Sequence, residues 1–195
     1  MSEITVIKIG GRAAAEAETI LELAREIRRL EDAPAGGNQG TGKSGRPGDG
    51  NHRTGKQATA DDSSPGARYV VVHGGGSELS ALMERYGFTP KFVDGVRQTT
   101  DEEMPLVDMA LAGRMNSAVV RLFGKAGLRT VGLSAQDGGM VVGRPVVTAD
   151  GTASRTGSPK AADGSLLRTI LDAGYTPIVS PVSRDEAWDG LNINA

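Results

Sequence analysis

Two periods of apolar residues alternate along the chain. Residues 4 to 9, Ile4-Thr5-Val6-Ile7-Lys8-Ile9, and residues 70 to 72, Val70-Val71-Val72, are short β-branched runs, and each stops at glycines: Gly10-Gly11 after the first, Gly74-Gly75-Gly76 after the second. Runs of this length bounded by glycine read as strands. After each, the period lengthens to three and four. Ile20, Leu23, Ala24, Ile27 and Leu30 form one helical face, and Leu79, Leu82, Met83 and Tyr86 another that ends near Gly87. Acidic residues early in the first helix (Glu16, Glu18, Glu22) and basic ones late (Arg25, Arg28, Arg29) suit the helix dipole.

Further on, residues 92 to 99 read as a strand pair turning at Asp94-Gly95. A long helix follows, capped by Thr99 or Thr100 and carrying Met104, Val107, Leu111, Ala112, Met115, Val119, Leu122 and Phe123. Its broad apolar face leaves two readings open, an ordinary core helix and one that also serves a subunit contact. A strand is expected at 129 to 133, a polar loop at 134 to 139, and a hairpin from 140 to 147 turning at Asp150-Gly151. Gly157-Ser158-Pro159 reads as a break. A helix with Leu166, Leu167, Ile170 and Leu171 closes on Gly174, a buried strand is expected over 176 to 182, and Leu191-Asn192-Ile193-Asn194-Ala195 alternates apolar and polar residues. Strands separated by helices predict an α/β fold, a three-layer αβα sandwich around a mostly parallel sheet.

Residues 33 to 66 differ in kind. They hold 9 glycines and no Ile, Leu, Met, Val, Phe, Tyr or Trp, so they are expected to be a disordered insertion that cannot bury enough apolar surface to offset its ordering entropy. Within them Gly37-Asn38-Gln39-Gly40-Thr41-Gly42-Lys43-Ser44 matches the phosphate-loop pattern in full. That pattern holds phosphate only between a buried strand and a helix, and neither flanks it here.

Composition narrows the chemistry. With 22 basic and 24 acidic residues the net charge is −2, and nothing calls for nucleic acid or an anionic membrane. There is no cysteine, which excludes disulfide and thiolate chemistry, and His52 and His73 alone are too few for a histidine-rich metal site. No apolar run approaches the length of a membrane span, and the N-terminus lacks the charged and apolar regions of a leader, so a soluble cytoplasmic protein is expected.

The candidate chemistry lies at the glycine turns. Glycines let a backbone approach a ligand with its N–H groups outward, and a helix N-terminus adds partial positive charge. Lys8, a single charge embedded in an apolar strand two residues before a glycine turn, must emerge at a site, and phosphate is its natural partner there. Parallel sheets place ligands at the carboxyl ends of their strands, where Gly10, Gly11 and Gly74 to Gly76 converge. Arg97, beside the Asp94-Gly95 turn, offers a planar fork suited to a carboxylate, and Asn192 and Asn194 add polar groups. An esterase oxyanion turn at His73-Gly74-Gly75-Gly76 is excluded, since the chain lacks the G-x-S-x-G elbow and its only other histidine is His52.

Taken in order, Ile7-Lys8-Ile9-Gly10-Gly11, His73-Gly74-Gly75-Gly76, Gly95-Val96-Arg97-Gln98-Thr99, Gly157-Ser158-Pro159-Lys160 and Asn192-Ile193-Asn194-Ala195 resemble the N-terminal lobe of the acetylglutamate kinases, members of the amino acid kinase family. The resemblance implies a carbamate kinase-like fold and ATP-dependent phosphorylation, with Mg2+, of the side-chain carboxylate of N-acetyl-L-glutamate in arginine biosynthesis, by a homo-oligomer. It implies that Lys8 stabilises the transferring phosphoryl group and that Gly10, Gly11 and Gly76 hold it through backbone N–H groups. Gly75 and Gly76 line the acyl-glutamate, Arg97 holds its α-carboxylate, and Asn192 its other polar end. On this reading residues 1 to 195 are an acyl-amino-acid-binding lobe, interrupted at 33 to 66, and the nucleotide-binding lobe that follows in the family, with an aspartate and a second lysine, is absent. Two alternatives stand beside it: a sibling kinase acting on aspartate or on a carrier-linked aminoadipate or glutamate, and a non-catalytic acyl-amino-acid-binding module.

Overall fold

The structure is a computed structural model that describes residues 3–10, 13, 16–33, 68–147 and 153–195. Most of the expected insertion, with its phosphate-loop match and His52, lies outside the described residues, as does Gly11.

Four parallel strands form the central sheet in the order β1-β2-β8-β5: β1 Ile4–Ile9, β2 Arg68–His73, β8 Thr176–Ser180 and β5 Thr130–Ser134. Alternation along β2 sorts its side chains between two cores. Tyr69 and Val71 pack with Ile20, Ala24 and Ile27 of α1 (Ala17–Glu31) and with Val119 and Phe123 of α4 (Asn116–Lys125). Val70 and Val72 face the opposite way, toward Leu166, Leu167 and Leu171 of α5 (Ser165–Asp172). Helices on both faces make the expected three layers, because a parallel sheet buried on both sides needs apolar cover on each. A third cluster packs α2 (Gly76–Arg85) through Leu79 and Met83 against Met104, Leu106 and Val107 of α3 (Met104–Val107).

Both predicted glycine stops are present. Gly87 at φ 81° and Gly174 at φ 75° follow α2 and α5, where the N–H of Phe88 bonds back to Met83 O and that of Tyr175 to Ile170 O. The hairpin is also as read: β3 Lys91–Val93 pairs with β4 Val96–Gln98 across Asp94 and Gly95, both at positive φ.

Three expectations are corrected. The long helix is interrupted: between α3 and α4, residues Asp108–Met115 form a π-helix, and Glu103 rather than a threonine precedes α3, its carboxylate accepting the Thr100 N–H at 2.8 Å. Gly157-Ser158-Pro159 is no break but the middle of β7 (Ala153–Ala162), which pairs antiparallel with β6 (Val141–Val147). Register shifts in that pairing accommodate Pro145 and Pro159, and a Cβ on Gly157 would lie 3.0 Å from Leu191 Cδ1, so the glycine serves packing. The strand expected over 176 to 182 divides at Pro181, after which β9 (Val182–Arg184) leaves the parallel sheet for a small closed barrel with β6, β7 and β10 (Gly190–Ile193). That bend carries β10, with Asn192, to the carboxyl edge of the main sheet.

Candidate acid-binding and phosphate site

A cavity of about 310 Å³ opens at that edge. Lys8 and Gly10 line it from the end of β1, Gly74, Gly75 and Gly76 from the turn after β2, Arg97 from β4, and Asn192 and Asn194 from the end of the chain. The residues singled out in the sequence are thus brought together, Gly11 alone lying outside the described residues. Leu79, Phe92 and Leu111 give the cavity apolar walls.

The orientation of the glycine turn follows from where its carbonyls go. Gly74 O accepts from His73 Nδ1 at 2.9 Å, Gly75 O from the Leu79 N–H at 2.9 Å, and Gly76 O from Arg97 Nη2 at 3.1 Å and Ser80 Oγ at 3.0 Å. In a trans peptide the N–H points opposite to the preceding C=O, and among the described residues there is no cis peptide. With three successive carbonyls turned into the protein, the N–H groups of Gly75, Gly76 and Ser77 are directed away from it, and among the described residues they meet no acceptor. They form a donor array at the start of α2, where an anion is favoured. Gly75 is favoured here for a packing reason: a Cβ would come within 2.8 Å of Leu111 Cδ2 and 3.1 Å of Met115 Cγ on the π segment, which would have to shift.

Arg97 is only 9% exposed. Besides Gly76 O it donates to Ser80 Oγ at 2.6 Å and Met83 Sδ at 3.2 Å, and its guanidinium lies 4.7 Å from the Phe92 ring centroid. All of these partners are neutral. Among the described residues no carboxylate pairs with Arg97 within 4.0 Å, although the charge of Glu103 partly offsets the burial that pushes its guanidinium down. A buried cation held by neutral groups and facing a cavity is arranged for an anion that comes from outside.

Hydroxyls missed in the sequence lock the same region. Thr156 Oγ1 donates to Arg97 O, while the Thr99 N–H reaches Ser154 Oγ and Thr156 Oγ1, each at 3.2 Å. Asn192 Nδ2 donates to Thr99 Oγ1 at 3.0 Å, so β4 and β10, which carry Arg97 and Asn192, are joined through one threonine.

A model of the amino acid kinase family matches residues 55–194. The chain belongs to the amino acid kinase family. The acetylglutamate kinase of Archaeoglobus fulgidus is 40% identical over 140 residues, 67% of this chain and 48% of its own length. That of Geobacillus kaustophilus is 38% identical over 130 residues, 67% of this chain and 50% of its own. The chain therefore spans about half the length of the curated relatives it matches. Among solved structures, smu.665 from Streptococcus mutans superposes with a TM-score of 0.73 at 24% identity, covering 100% of this chain and 65% of that one, a likeness of fold.

In this amino acid kinase chain the family match begins after β1, so Lys8 and Gly10 are placed by the fold rather than by the matched stretch: β1 pairs in register with β2, Ile9 opposite His73, and sets both glycine turns side by side. His73, read in the sequence only as part of the turn motif, and Asn116, not singled out there, are both buried behind the turn. Asn116 had a signal. It shares the helical spacing of Val119 and Phe123, and a polar residue at a core-facing position of an apolar helix needs a buried partner. Among the described residues no cavity-lining side chain is a carboxylate, and no group of three or more His, Cys, Asp or Glu side chains is placed to hold a metal. The described residues therefore do not supply a protein-held Mg2+ site. No described helix is long and apolar enough to cross a membrane.

Proposed function

We propose that this chain is the acid-binding lobe of an acetylglutamate kinase, holding N-acetyl-L-glutamate in the cavity and presenting its side-chain carboxylate to the γ-phosphate of ATP. The observation that carries the reading is Arg97: a buried guanidinium with neutral partners, opening on a cavity shared with Lys8 and a glycine turn rich in free N–H groups. Arg97 holds the α-carboxylate, and Asn192, fixed by Thr99, takes the other polar end. The Gly75 and Gly76 N–H groups line the acid near its reacting end. A carboxylate oxygen attacks the γ-phosphorus, the bond to the bridging oxygen of ADP breaks, and an acyl phosphate and ADP result. Negative charge on the equatorial oxygens is met by Lys8 and by the N–H groups of Gly10, Gly11 and Gly76. Identity to acetylglutamate kinases across about two-thirds of the chain supports this acid over aspartate or a carrier-linked acid. The setting is arginine biosynthesis in the cytoplasm, in a homo-oligomer.

A second reading, an acid-binding module without turnover of its own, is favoured by the cavity itself, whose lining residues suit an acid and a phosphoryl group: the adenine and ribose would be bound elsewhere. Calorimetry with N-acetyl-L-glutamate, beside a coupled assay for ADP, separates the two. Binding with ADP release supports catalysis, binding without it supports the module, and no binding of the acid contradicts both.

A further inference from the structure

We infer that His73, held by Asn116, is a positioning residue that sets the Gly74–Gly75 peptide so that the Gly75 N–H faces the cavity. Of the three carbonyls that orient the glycine turn, two are held by α2 and by Arg97, and among the described residues the first depends on His73 alone. A carbonyl only accepts, so Nδ1 carries the proton that reaches Gly74 O. Asn116 Nδ2 lies 3.1 Å from the other ring nitrogen, Nε2, as well as 3.1 Å from Leu133 O and 3.0 Å from Ile178 O. Two backbone carbonyls thus fix which end of the Asn116 amide is Nδ2; that nitrogen shares two protons among three neighbours and accepts none, so Nε2 faces it without a proton of its own. The opposite amide orientation would turn Oδ1 onto both carbonyls. Asn116 Oδ1 instead sits where residue 132 has no side chain, 2.2 Å from the place a Cβ on Gly132 would occupy.

The ring is therefore neutral with one proton, on Nδ1. Burial also pushes His73 below the usual imidazole range, in agreement with that state. Asn116 is the first residue of α4, immediately after the π segment whose Leu111 and Met115 pack against Gly75. One irregular stretch of helix thereby backs the turn twice, by apolar contact and through the Asn116–His73 relay. A π segment at such a place is common at functional sites. His73 touches neither substrate nor phosphate and acts only through the peptide it holds.

The inference rests on the functional reading for its consequence, the strength of acid binding, but not for its geometry. Two variants divide the ring. His73→Asn places an amide donor near Nδ1, and His73→Gln an amide near Nε2, which keeps the contact with Asn116 and loses the donor to Gly74 O. In the full chain, two-bond 1H–15N spectra at pH 7 are expected to show His73 protonated at Nδ1 and bare at Nε2. The opposite tautomer or a charged ring overturns the inference. By calorimetry, affinity for N-acetyl-L-glutamate is expected to fall about tenfold in His73→Gln and to stay within about threefold in His73→Asn. Equal losses in the two variants, or none, overturn it. If the wild-type chain binds no acid, the functional reading fails. The Gly75 amide then decides: solvent exchange and chemical shift altered in His73→Gln but not in His73→Asn support the inference, and the same behaviour in both overturns it.

Discussion

Replacing Arg97 by methionine separates binding from folding. The side chain is of similar length and keeps contact with Phe92 and Met83, but it has neither charge nor donor. On the folding side two effects oppose each other. Relief from burying a cation that is only 9% exposed stabilises, since exchanging buried charge for apolar side chain is often neutral or favourable by about 1–4 kcal/mol. Against this, Gly76 O and Ser80 Oγ lose hydrogen bonds of 3.1 and 2.6 Å from a charged donor, at about 1.5–3 kcal/mol each. Ser80 Oγ still donates to Gly76 O, so neither group is orphaned. The loss therefore lies near the low end, about 3 kcal/mol for the two bonds together, and the net change in stability is expected within about 3 kcal/mol of zero. On the binding side there is no such offset. A charge-assisted pair with the α-carboxylate is worth about 1.5–3 kcal/mol, so the Kd for N-acetyl-L-glutamate rises about 10- to 150-fold. Urea denaturation and calorimetry on the same protein give both quantities. Unchanged affinity in a folded Arg97→Met chain would refute the role given to the guanidinium, and so would affinity lost only in proportion to lost folded population.

Lys8 is exposed at the end of β1, so Lys8→Ala should leave the circular dichroism spectrum and urea midpoint nearly unchanged. In a chain extended by a relative's second lobe it should lower phosphoryl transfer by at least about 10²-fold, and wild-type turnover there would count against it. Gly75→Ala should destabilise the chain by about 1–3 kcal/mol through its contacts with Leu111 and Met115; an unchanged denaturation midpoint would show that the π segment yields freely. His73 predicts a pH dependence. Its folded value is lowered by burial from the ordinary 6.5, so the unfolded chain takes up a proton first as pH falls. Its contribution is complete above about pH 6.5 and is lost below it, at up to about 1.4 kcal/mol per pH unit until the folded value is reached. Urea midpoints from pH 8 to pH 5 should show this fall, reduced in His73→Asn, and an equal slope in both proteins would contradict it.

The elements of the site were legible because each rests on a local rule. A β-branched run that stops at glycines predicts strand and turn wherever it occurs, and Lys8 and Arg97 stand out because a charge among apolar neighbours needs a destination. What was not legible depends on contacts between distant segments. The π segment has the same apolar spacing as a regular helix, and what distinguishes it, the packing of Leu111 and Met115 against Gly75, comes from a turn more than 30 residues away. Gly157 and Pro159 carry the signature of a break, and only the partner strand β6 and the Leu191 side chain show why a strand uses them. Thr99, Ser154 and Thr156 belong to no periodic pattern, so the network that joins Arg97 to Asn192 appears only once β4, β7 and β10 are brought together. For Asn116 a signal existed, its polar side chain at a core-facing position, but its partners Leu133 and Ile178 lie on strands that the sequence does not pair with it.

The central claim is that the cavity between the two glycine turns and Arg97 is a site for an acylated acidic amino acid. Titration calorimetry of the 195-residue chain with N-acetyl-L-glutamate, aspartate and a non-hydrolysable ATP analogue tests it most directly. The account predicts one site for N-acetyl-L-glutamate, weaker binding of aspartate, weak association of the nucleotide, and loss of the acid signal in Arg97→Met. Tight nucleotide binding with no affinity for N-acetyl-L-glutamate would contradict it.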